Sequence, residues 1–107
     1  MKVEKYLFFM SPAVRRVSKR MGIPPPSHHQ LCVLYILKRR GLLRFTAISQ
    51  LLGSYGLSPS ERTLTLSLRS LLSSDLIVKS SEGYIVSNTG REFISYVRSF
   101  LLNKRIY

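Results

Sequence analysis

Cysteine is almost missing from this chain. Cys32 is the only one in 107 residues, so no internal disulfide can form. A fold that relies on none suits a reducing compartment, and a cytoplasmic location is expected. Acidic residues are nearly as scarce. Glu4, Glu61, Asp75, Glu82 and Glu92 stand singly along the chain, so no nucleophile–base–orienter set suggests itself. No glycine-rich phosphate loop follows a candidate strand, and neither an enzyme nor a cofactor is expected. His28 and Cys32 lie four apart, a spacing that can put two metal ligands on one helix face. The only other histidine is His29 and no second cysteine exists. A structural zinc site needs about four ligands, so no metal is expected and Cys32 reads as a core residue. Long hydrophobic runs are absent too. The longest, Leu31 to Leu37, falls far short of a bilayer span, and the amino terminus lacks a secretory apolar core with a cleavage site.

Positive charge is what the chain has in excess. Seventeen Lys+Arg against five Asp+Glu give a net charge of +12, while hydrophobic residues still make up 45%. That is enough apolar matter for one small folded domain, so the excess does not signal disorder. A field of this size attracts polyanions and predicts salt-dependent affinity for nucleic acid.

Residues 1–26 read as a basic, helical amino-terminal extension closed by a linker. Val3, Tyr6, Leu7 and Met10 recur at helical spacing, and Ser11-Pro12 offers a cap and first-turn proline for a second helix. In that piece Val14, Val17 and Met21 share a face, with Arg15, Arg16, Lys19 and Arg20 around the rest. Three readings fit it: contact with phosphates, rest on an anionic membrane, or a plain solvated face. The Pro24-Pro25-Pro26 run ends it, because consecutive prolines lack donors and hold an extended backbone.

Residues 27–87 carry the main pattern. Ser27 is an N-cap candidate for a helix through Leu31, Leu34, Tyr35 and Leu37 that closes at Lys38-Arg39-Arg40-Gly41. Leu42 to Phe45 can form a brief extended piece that pairs with a ribbon. Thr46 then caps a short helix with Ile48, Leu51 and Leu52 inward. Ser58 and Glu61 form a capping box around Pro59, opening a helix to about Ser74 with Leu64, Leu68, Leu71 and Leu72 on its apolar face. Asp75 to Val78 begins a strand, Ser80-Ser81-Glu82-Gly83 turns it, and Tyr84 to Val86 returns. Ser87 or Asn88 caps a last helix, residues 88–107, carrying Phe93, Val97, Phe100 and Leu101.

The order of elements is that of a winged helix-turn-helix: α+β, mainly α, a three-helix core plus a β-hairpin wing, with helical extensions at both termini. The outward face of the 58–74 helix carries Arg62, Thr63, Leu66, Arg69 and Ser70. Arginine can bond guanine edges bidentately, and hydroxyl side chains reach phosphates or bases without blocking approach, so these are the candidate base contacts. Leu66 can meet a thymine methyl or a protein partner. Arg15, Arg16, Lys19, Arg39, Arg40, Arg44 and Lys79 are the candidate phosphate contacts.

Leu71-Leu72-Ser73-Ser74-Asp75-Leu76-Ile77, followed by Gly83-Tyr84-Ile85-Val86-Ser87-Asn88-Thr89-Gly90-Arg91-Glu92-Phe93, resembles the end of MarR- and PadR-like winged-helix regulators. The resemblance spans about residues 27–102. It implies a three-helix core with a wing, sequence-specific binding of double-stranded DNA, and a homodimer built by terminal helices. Asp75 stands where that family has glycine, so the helix must end without a left-handed glycine. The short wing bears Glu82 at its tip and only Lys79 nearby, which suits a structural job.

The expected function is therefore sequence-specific duplex binding by a transcriptional regulator. Tyr6, Phe9, Phe93, Val97, Phe100 and Leu101 exceed what a compact three-helix core needs and are the candidate dimer interface. The rival from another class is a winged-helix protein-interaction module, docking a partner through Leu66 and the terminal aromatics. RNA or single-strand binding would need an exposed aromatic platform, and none is evident in the sequence.

Overall fold

Helix α2 (His28–Arg40) is the hub of the fold. The computed structural model describes the backbone of residues 2–106 and the side chains of residues 12–100. Leu31, Cys32, Val33, Leu34, Ile36 and Leu37 of α2 are all buried, so the helix is apolar around most of its girth. A helix of that kind has to be surrounded. Its first turn is held by a capping box the sequence reading half saw. The Gln30 N–H donates to Ser27 Oγ at 3.3 Å, and the Ser27 N–H donates to Gln30 Oε1 at 3.1 Å. At the other end the Gly41 N–H bonds the Leu37 carbonyl at 2.8 Å, with Gly41 at φ 85.

Around α2 pack α1 (Lys2–Met21), α3 (Phe45–Ser54), α4 (Glu61–Ser73) and a two-stranded antiparallel hairpin, β1 (Ile77–Ser80) and β2 (Gly83–Val86). Helix α5 (Asn88–Ile106) closes the chain and runs chiefly against α1. All of them feed one core cluster, from Ala13 on α1 to Val97 on α5. The architecture is α+β, mainly α.

Several expected boundaries move. In place of two segments meeting at Ser11-Pro12, α1 is one helix with Pro12 inside it. An interior proline costs about 3 kcal/mol. Val14 and Val17, both buried just beyond it, are each worth about 1.5–3 kcal/mol and hold the helix through the proline. Thr46 is not a cap. Leu43 pairs with Tyr84 of β2, so the chain is still extended at Arg44 (φ −79, ψ 162), which becomes the N-cap and leaves Phe45 as the first helical residue.

The start of α4 also lies two residues later than the Ser58 box predicts. Ser60 is the N-cap: its Oγ accepts from the Thr63 N–H at 3.1 Å and its hydroxyl donates to Thr63 Oγ1 at 2.9 Å. Glu61 is the first helical residue, too early to close a box with Ser58, and its charge suits the helix N-terminus instead. Leu64, Ser67, Leu68 and Leu71 are buried, whereas Leu72 is only half-buried.

Helix α4 ends in a Schellman closure built without glycine. The Leu76 N–H reaches back to the Leu71 carbonyl at 3.0 Å and the Asp75 N–H to Leu72 at 3.1 Å. Asp75 takes the left-handed conformation that closure requires, φ 59, so the helix ends without a left-handed glycine, as expected. Aspartate is among the few residues that visit this region at low cost.

In the hairpin Ile77 pairs with Val86, Val78 with Ile85, Lys79 with Tyr84 and Ser80 with Gly83. Gly83, at φ 142, lies so close to the residue-43 backbone that a Cβ would sit 2.4 Å from the Leu43 oxygen. Leu43 and Tyr84 exchange two main-chain hydrogen bonds, at 3.0 and 2.8 Å. The short extended piece before α3 thus forms the third rung of the ribbon, as expected.

Candidate nucleic-acid interface

Helix α4 turns its leucine side into the core, so helical periodicity decides what it shows to solvent. Arg62, Thr63, Leu66, Arg69 and Ser70 are all exposed, with Leu66 at 50% of its full surface. Arg62 and Arg69 are two turns apart, about 10 Å along the axis at 1.5 Å per residue, with Leu66 between them. Thr63 is partly committed to the cap, since its N–H and its hydroxyl oxygen both engage Ser60. The neighbouring Thr65 hydroxyl turns back to the Glu61 carbonyl at 2.8 Å. The face is a convex rod with two cations, one apolar side chain and small hydroxyl groups. It can enter a groove but cannot enclose a small molecule.

The expected phosphate contacts fall into two groups on different elements. Arg39 and Arg40 end α2, Arg44 caps α3, and all three are exposed. The Arg39 guanidinium lies over the Tyr35 ring at 6.0 Å, and the Lys79 ammonium over its cross-strand partner Tyr84 at 5.6 Å. Arg15, Arg16 and Lys19, with Arg20, line an open groove of about 1040 Å³ whose other wall carries Tyr96, Ser99 and Phe100 of α5. The Arg16 guanidinium stands 5.5 Å from the centre of the Phe100 ring.

A third cationic cluster escaped the sequence reading. Lys38 on α2 has its pKa held below the ordinary lysine value, first by burial and then by repulsion from Arg98 and Arg91 of α5. Arg91 and Arg98 are seven apart and so share a helix face, which is visible in the sequence. That this face lies beside Lys38 depends on how α5 crosses α2, which is not.

The dimer candidates divide differently from expectation. Phe93 and Val97 are 1% and 0% exposed, within the chain's own core, and present no surface to a second copy. Their period on α5 is that of an inward face, which a sequence cannot tell from an interface stripe. Phe100 is half-buried. Tyr6, Phe9 and Leu101 lie outside the residues whose side chains are described.

Cys32 is fully buried, as read, while His28 is exposed with its ring edge against His29. Among the described residues no three of His, Cys, Asp and Glu gather as a metal would require, and no helix is long and apolar enough to cross a membrane.

Compared in sequence, the chain matches no protein-family model and no curated protein. In structure it is similar to the activation domain of the phage T4 transcription factor MotA, with a TM-score of 0.70 over 88% of this chain and 94% of that one. Identity between the two is 12%, so the likeness is one of fold.

Proposed function

We propose that α2, α3, α4 and the β1–β2 hairpin form a winged helix-turn-helix, and that α4 lies in the major groove of double-stranded DNA as the recognition helix of a transcriptional regulator. The observation that carries this reading is the exposed Arg62–Leu66–Arg69 face on a helix whose opposite side is buried in the core. Arg62 and Arg69 read base edges, Thr63 and Ser70 assist, and Leu66 meets a thymine methyl. Arg39, Arg40 and Arg44 hold phosphates alongside, and the +12 charge steers the encounter. The hairpin braces the fold, since its tip carries Glu82 and its one lysine lies on Tyr84. The role is binding rather than catalysis, in the cytoplasm. Resemblance to MarR- and PadR-like regulators in residues 71–93 supports it, as does a structural neighbour named as part of a transcription factor. Two copies on a two-fold site would have to meet through surfaces other than Phe93 and Val97.

One observation favours a second reading, a protein-docking module. Leu66 is half-exposed on the same face, and the neighbour is named an activation domain. Selection from a random duplex pool separates the two. Enrichment of one sequence, lost in a folded R62A/R69A variant, supports the regulator. Failure to bind any duplex at low salt leaves the docking module.

A further inference from the structure

We propose that the groove between α1 and α5 is a separate site for single-stranded nucleic acid, with bases stacked at Tyr96 and phosphates held by the basic side of α1. Tyr96 is 52% exposed and stands one turn from Phe100, so both rings lie along the same wall. Opposite them Arg16 and Arg20 are four apart on α1, as are Arg15 and Lys19, which makes two like-charge rows along one helix. Like charges at that spacing weaken a helix, and an anion in the groove removes the repulsion. None of the described lining residues is acidic, so no carboxylate among them offsets those rows.

The rings decide which polyanion fits. In a duplex the base faces are hidden in the stack, and an aromatic wall would meet only sugar edges. An unpaired strand presents base faces, which stack on aromatic side chains while a cationic groove follows its backbone. An acidic peptide would satisfy the cations and leave Tyr96 without a flat partner. The exposed aromatic platform that single-strand binding needs, not evident in the sequence, is supplied by this groove. The site shares no residue with the α4 face, so the two stand or fall separately.

Fluorescence anisotropy of the full chain with labelled twelve-residue oligo-dT and oligo-U tests the proposal. Y96A, at an exposed position, is expected to keep its fold and to lose affinity for both strands about 5- to 150-fold, while Tyr96→Phe retains it. R16A/R20A lowers the slope of log affinity against log salt by roughly 1.4, at about 0.7 per single-strand contact. R62A/R69A leaves single-strand affinity within twofold. A preference for dT or U would support the site, the two strands differing in the 2′-hydroxyl and in the 5-methyl group. Affinity unchanged in Y96A overturns the proposal in favour of plain charge attraction. Displacement of the oligonucleotide by polyglutamate of equal charge at equal concentration overturns it in favour of an acidic peptide. A twelve-base-pair duplex that loses as much to Y96A overturns the preference for unpaired strands.

Discussion

Ser87 donates its hydroxyl to the main-chain oxygen of Asp75, so the residue that ends α4 and the residue that starts α5 are tied across the base of the hairpin. The same Ser87 Oγ accepts from the Gly90 N–H at 2.9 Å, and the Ser87 N–H bonds the Leu76 carbonyl at 3.1 Å. One short side chain thus caps α5 and sets the angle at which β1 leaves α4. Orientation of the exposed α4 face depends on this clasp.

The clasp leaves no room at Gly90. A Cβ there would lie 2.1 Å from the Leu76 carbonyl oxygen and 2.8 Å from Val86 Cγ1, and the first of these is backbone that cannot swing aside. G90A is expected to cost at least about 1–3 kcal/mol in urea unfolding, the range for overpacking. S87A loses a cap and should cost about 1 kcal/mol. D75G goes the other way or is neutral, because glycine takes φ 59 without strain and offsets its own entropy cost. A stable G90A protein with unchanged melting would show that α5 does not pack as described.

Phe93 offers a test of where the core ends. At 1% exposure its removal leaves a cavity, and F93A should cost about 3–5 kcal/mol of stability. Sedimentation of the folded fraction at high protein concentration should show the parent's association state. L66S, at an exposed position, should fall within about 0.5 kcal/mol of the parent. If F93A instead stayed folded and only shifted a dimer to a monomer, the interface reading of this residue would return.

The two serines before α4 separate caps from cap-like spacing. S60A removes the acceptor for the Thr63 N–H and should destabilise by about 1 kcal/mol, while S58A should change stability by no more than a few tenths. Chemical denaturation of both variants checks the ranking, and equal losses would revive the Ser58 box.

That pair also shows what could be read from residues alone. The leucine periodicity of α4, the Ser27 and Ser87 caps and the hairpin are local, and each followed from spacing or turn chemistry. Thr46 and Ser58 misled because several hydroxyl residues stand near each helix start. Tertiary pairing, here Leu43 with Tyr84, decides which of them is extended. Pro12 misled for the same reason, burial of Ala13, Val14 and Val17 just beyond it overriding a local signal. On the exposed α4 face the cations were legible from the helical period. The Lys38 cluster and the Tyr96 groove were not, because each needs two helices far apart in sequence to meet.

Lys38 supplies a prediction with a definite sign. Its pKa is lowered in the fold by burial and by the Arg98 and Arg91 guanidinium groups, so folding binds its proton more weakly than the unfolded chain does. Stability therefore rises with pH across the window between its folded pKa and the ordinary lysine value. Below that window the lysine is charged in both states and the penalty is present in full. Lys38→Met keeps the apolar stem and removes the charge, so it should raise the unfolding midpoint at pH 7 and low salt. That gain should shrink in high salt and at strongly alkaline pH. The same variant should bind polyanions slightly more weakly at low salt, since it removes one positive charge from the chain's field. Urea unfolding at neutral and alkaline pH, with and without a short duplex, reads both effects. A Lys38→Met protein less stable than the parent at pH 7 would mean that the amine has a compensating partner in the fold.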